Sequence, residues 1–115
     1  MKEQQFWNVI EAMDFNNKGY KKAGQYLIED SGLTIEQMSE VEDMARWKVR
    51  ELYDRLWDVK GVSDDGYDDL RWQIIANGQD AFNEATVESA QKMIDNFEYT
   101  ESFSYAFHAL WDLQK

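Results

Sequence analysis

Four aspartates fall within six residues, Asp64, Asp65, Asp68 and Asp69, inside the stretch S-D-D-G-Y-D-D-L-R-W-Q-I-I-A-N-G from Ser63 to Gly78. Carboxylates four apart share a helix face, so Asp64 with Asp68, and Asp65 with Asp69, are spaced to hold a hard cation. The same residues have a plainer use. Ser63 is an N-cap residue type, and acids in the first turn complement the positive end of the helix dipole. Arg71 stands three residues after Asp68, close enough to pair with it on a helix surface. Tyr67, Leu70 and Ile74, with Ile75 beside them, draw one apolar face, and Gly78 suits the helix end. The calcium-loop pattern is absent, because Asp58 is followed by Lys60 and Val62 where ligands should fall.

Other catalytic chemistry finds little purchase. The chain has no cysteine, so thiol nucleophiles, disulfides and cysteine zinc sites are excluded. The single histidine, His108, lies between Phe107 and Ala109, where a packed residue is the commoner meaning than a base. No phosphate-binding glycine loop, nucleophile elbow or H-E-x-x-H helix occurs. An enzyme would have to work with carboxylates alone. The expectation is a protein that is not an enzyme and carries no cofactor and no metal.

The elements that must position these residues are helical. Phe6, Ile10 and Met13 predict a helix over about 3–13, followed by a turn-rich break from Asp14 to Gly19. Lys18, Lys21 and Lys22 make a small basic spot there, which reads as a solvated loop. A second helix runs from about Tyr20 to Asp30. Thr34 to Gln37 has the form of a capping box. It opens a long helix over about 35–59 whose stripe is Ile35, Met38, Val41, Ala45, Val49, Leu52, Leu56 and Val59. Met44, Trp47, Tyr53 and Trp57 widen that stripe or form a second apolar edge. Glu42 with Arg46, and Glu51 with Arg55, are pairs in the favourable four-apart order. Further helical turns from Gln79 to Ala85 bring Phe82 inward. Thr86 caps a helix over about 87–97 with Val87, Ala90, Met93 or Ile94, and Phe97 inward. A last helix over about 101–113 places Phe103, Ala106, Phe107, Leu110 and Trp111 on one side. The fold class is all-α, with five or six helices around the long one, in one domain spanning 1–115.

Hydrophobic residues make up 43% and aromatics 15% of 115 residues, enough for a real core. The net charge is -11, unevenly spread: -3 over residues 1–62 and -8 over residues 63–115. Such a surface repels nucleic acid and anionic membrane and attracts basic protein surfaces. No apolar run approaches membrane-spanning length, and M-K-E-Q-Q-F-W is too polar for a secretion signal, so the expected location is the cytoplasm.

Several blocks resemble the bacterial family called domain of unknown function 4240: Phe6-Trp7, Leu56-Trp57, the Ser63 to Gly78 stretch, and E-S-F-S-Y-A-F-H-A from Glu101. They follow the family's order across nearly the whole chain, and the Ser-Asp-Asp-Gly-aromatic block with its Arg and Trp is the most specific. The family pattern has an aromatic where Leu70 stands and small residues where Asp58 and Val59 stand. The resemblance implies a small helical cytoplasmic domain and assigns no activity. If the family shares a site, its matching positions are Asp64, Asp65, Arg71 and Glu101. That set is either a polar pocket for a small ligand or an ion-paired knot that fixes how two helices dock.

The functional expectation is an acidic binding module. Its partner is a basic protein surface, such as one that itself binds nucleic acid, blocked in the manner of immunity proteins, anti-CRISPR proteins and DNA mimics. The expected contact residues are Asp64, Asp65, Asp68 and Asp69, then Glu36, Glu40 and Asp43, with Trp47 and Trp72 as partly exposed anchors. The protein itself is expected as a monomer or small homo-oligomer. The alternative is a carboxylate-based metal or small-ligand site at Asp64, Asp65, Arg71 and Glu101.

Overall fold

Apolar residues recur at helical spacing from one end of the chain to the other, and the computed structural model, which describes residues 1–100 and 102–113, is helical throughout. The described residues contain no strand. Helix α1 spans Glu3–Met13, α2 Phe15–Gln25, α3 Ile35–Leu56, α4 Asp64–Ala76, α5 Gln79–Glu84, α6 Val87–Asp95 and α7 His108–Leu113. A π-helical turn, Tyr26–Asp30, extends α2, and a 3-10 turn, Phe103–Phe107, leads into α7. Among the described residues seven α-helices stand where five or six were expected; Gly78, at φ 105°, ends α4 as its residue type suggested, and the turns expected from Gln79 form a helix of their own, α5.

Local chemistry explains the boundaries. Thr34 accepts from the Gln37 N–H while the Gln37 side chain accepts from the Thr34 N–H, closing the expected capping box. Thr86 and Ser89 do the same for α6. Ser63 Oγ accepts from the Gly66 N–H at 3.1 Å and starts α4. The expected break after α1 is much reduced. Asp14 takes a left-handed conformation (φ 51°, ψ 48°) and accepts the amide hydrogens of Asn17 and Lys18, so one helical turn forms before Gly19 kinks the chain.

Packing has two centres. One is α3, which touches α1, α4, α6 and α7. Met38, Val41, Ala45, Val49, Leu52 and Leu56 are buried along it, as the stripe predicted, whereas Ile35 is 45% exposed on its first turn. The other is the seam between α2 and the 3-10 turn. Gly24 lies so close to Ala106 that a Cβ there would stand 2.4 Å from the Ala106 carbonyl oxygen. Phe15, Trp72 and Phe107 surround Phe103 at this seam. Two further inward assignments fail. Phe97 is 83% exposed, because α6 ends at Asp95 and Phe97 sits at φ 54° beyond its inward face. Trp111 is 45% exposed, held by its indole N–H rather than by enclosure.

Candidate functional site

α3 and α4 pack side by side, and a cleft of ≈ 460 Å³ opens between them. From α3 it takes Arg46, Val49, Arg50, Tyr53 and Asp54; from α4 it takes Asp68, Arg71 and Trp72. Three of the four arginines in a chain of net charge -11 thus line one cleft.

Each arginine is held differently. Arg71 has a side chain only 12% exposed. Its guanidinium donates to the Val49 carbonyl at 3.2 Å, the Tyr67 carbonyl at 3.4 Å and Asp68 Oδ1 at 3.3 Å. Its carbon lies 4.6 Å from the Tyr67 ring centre and 5.1 Å from that of Tyr53. The Tyr67 hydroxyl donates to the Tyr53 carbonyl at 2.9 Å, which ties α4 to α3 again. Burial pushes the Tyr67 phenol above its ordinary range, against the pull of Arg71 and with help from Tyr53 and Asp54.

Arg46 is fixed from the other side. Its Nη2 and Nε donate to Glu42 Oε2 at 2.8 and 3.2 Å, and its guanidinium sits near the rings of Trp72 and Trp111. The Trp111 indole N–H donates to the same carboxylate, 3.1 Å from Oε1 and 3.0 Å from Oε2. Glu42, 8% exposed, therefore joins α3 to α7. Arg50 has neither hydrogen bond nor ion pair among the described residues; its recorded neighbour is the Trp47 ring, 5.7 Å away. Two shallower clefts flank Trp47 and Arg50, one bounded by Asp43 and the other by Lys48, Glu51 and Asp54.

The residues singled out in the sequence are dispersed. Asp64 and Asp65 are exposed on the first turn of α4, and Glu36 on that of α3. Glu40 is half-buried and binds the N-terminal amine. Asp43 borders a flanking cleft, Asp68 lines the main one, and Asp69 is partly buried. The carboxylate partner of Arg71 is Asp68, not Asp64 or Asp65, and Glu101 lies outside the described residues. Among the described residues no group of three or more histidine, aspartate or glutamate side chains is placed to hold a metal ion. His108 is exposed and stacks between Tyr105 and Trp111.

Of the two tryptophans chosen as partly exposed, Trp47 is 67% exposed, but Trp72 is 2% exposed. Trp72 faces inward because its ring is enclosed by Phe103, Phe107 and the Arg46 guanidinium. Sequence reasoning passed over Arg46, Arg50, Tyr53, Asp54 and Trp57 as a site. A signal existed: Trp47, Arg50, Asp54 and Trp57 repeat at three, four and three residues, a second helix face beside the core stripe. No helix among the described residues is long and apolar enough to cross a membrane. No protein-family model matches the chain, and neither the curated proteins nor the solved structures provide a match.

Proposed function

We propose that this chain is a non-enzymatic binding module of the inhibitor type, which docks on a basic protein surface through the outward face of α3. One observation carries the reading: Trp47 and Tyr53 are 67% and 51% exposed on α3, and Trp57, the residue that caps its C-terminal end, is 70% exposed. Ten residues separate the two tryptophans, so the ridge is about 15 Å long. Tryptophan, tyrosine and arginine are the side chains that concentrate binding energy at interfaces. The rim supplies Asp43, Asp54 and Asp58, and the first turn of α4 adds Asp64 and Asp65. Together with the net charge of -11 they favour a positively charged partner and speed its encounter. The cytoplasm is the proposed setting. The resemblance to the 4240 family rests on the quoted sequence blocks and adds no activity to this reading.

The test is capture of partners from cells of the source organism at low and high salt, with wild type, Trp47→Ala, and the double variant Trp47→Ala/Trp57→Ala. A basic protein retained by wild type at low salt, lost at high salt, and lost in the double variant is the expected result. Retention that ignores both salt and the tryptophans overturns the proposal.

A further inference from the structure

We infer that the cleft between α3 and α4 is a binding site for a small aromatic monocarboxylate, with Arg50 as its anchor. The inference stands on the cleft's own chemistry and does not depend on the partner-docking reading. Arg50 carries a guanidinium with no acceptor among the described residues, although Asp54 lies one turn away and Asp43 two turns away on the same helix. Its planar fork matches the two oxygens of a carboxylate.

Arg71 supplies a second, rigid donor. Each of its nitrogens already donates one bond, to Tyr67, Val49 or Asp68, which fixes the group while leaving N–H groups on Nη1 and Nη2 without protein acceptors. A site whose donors are already positioned loses less entropy on binding.

The charge of the lining selects the ligand's valence. Arg46 is already neutralised by Glu42 and Arg71 by Asp68, so Arg50 is the lining cation with no ion pair among the described residues. One carboxylate pairs with that cation. A phosphate dianion would overshoot it and be brought close to two aspartates. The remaining lining selects the ligand's body: the half-exposed Tyr53 ring of α3 offers apolar surface, with the nearly buried Val49 and Trp72 beside it. The volume of ≈ 460 Å³ lies within the range of small-molecule sites.

The experiment is titration of the full chain with benzoate, benzyl alcohol and inorganic phosphate, read by calorimetry and by tryptophan emission, since Trp47 stacks on the anchor. Wild type, Arg50→Ala and the distant surface control Lys60→Ala are compared. The expected result is saturable binding of benzoate, no saturation by benzyl alcohol, weaker binding of phosphate, and a loss of at least about tenfold in benzoate affinity in Arg50→Ala alone. Arg50 is exposed and unpaired, so its variant should melt with wild type and the loss cannot be laid to unfolding. Phosphate binding tighter than benzoate, equal binding of benzyl alcohol, an unchanged affinity in Arg50→Ala, or no saturation by benzoate would each overturn the assignment.

Discussion

Replacing Glu42 with alanine should release α7 from α3, and its size can be worked from the geometry. The carboxylate is 8% exposed and receives the Arg46 guanidinium at 2.8 Å and the Trp111 indole N–H at 3.0 Å. Hydrogen bonds to a charged group are worth about 1.5–3 kcal/mol when buried. The Arg46 side chain is 46% exposed and Trp111 45% exposed, so both donors recover water on losing Glu42. The net cost is therefore near the lower end, about 2 kcal/mol. For a chain of this length each kcal/mol moves the melting temperature by about 4 °C, which predicts a fall of about 8 °C. Glu42→Gln keeps an acceptor for the indole and should lose about half as much. Differential scanning calorimetry gives the melting temperatures, and the Trp111 contribution to emission should shift to the red in the alanine variant. A Glu42→Ala protein that melts within about 1 °C of wild type would refute the view that this carboxylate ties the two helices.

Gly24→Ala tests the second packing centre. The new Cβ would meet the Ala106 carbonyl at 2.4 Å, backbone against backbone, and overpacking of that kind costs about 1–3 kcal/mol. The expected melting temperature is lower by about 4–12 °C, whereas Gly32→Ala, in open space, should lose less even with its φ of 73°. Acid titration tests the pairing of Glu3 with Lys48 at 2.6 Å. The Lys48 ammonium beside Glu3 lowers its carboxyl pKa below the ordinary 4.5. A folded-state value below the unfolded one means the stabilisation is complete above 4.5 and disappears as pH falls through the lowered value. Glu3→Gln should therefore flatten the decline of melting temperature in that acid window, by a few degrees at most because Glu3 is largely exposed. An unchanged acid profile would count against the pair.

Periodicity carried most of the fold, because burial and spacing agree where a helix has one apolar face. The α3 stripe from Met38 to Leu56, the Thr34 and Thr86 caps and the Ser63 cap form as their residue types demand, while Ile35 is exposed and the helix expected to run to Val59 stops at Leu56. What spacing does not encode is where a helix stops once its cap is weak. Phe97 was assigned inward by counting on from Val87, but the chain leaves the helix at Asn96 and turns the ring to solvent. Trp72 shows the converse: it follows an arginine in a polar stretch, and only the arrival of Phe103 and Phe107 from thirty residues downstream encloses it.

The candidate site failed to stand out in the sequence for a related physical reason. Local charge density drew attention to the four aspartates, two of which are first-turn acids at the start of α4. The cleft instead depends on residues that look unremarkable singly and converge only when α4 lies along α3. Arg71 is the clearest instance. In sequence its nearest acid at pairing distance is Asp68, and that pair does form. Its bond to the Val49 carbonyl, 22 residues earlier, and its contact with the Tyr53 ring cross to α3. Those contacts hold Arg71 in the wall of the cleft, while Arg50, on the neighbouring helix, has no hydrogen bond or ion pair among the described residues. One arginine is consumed in joining the helices and the other is left available by the same packing. The core stripe of α3 sets where α4 must lie, and the cleft between them follows from that placement.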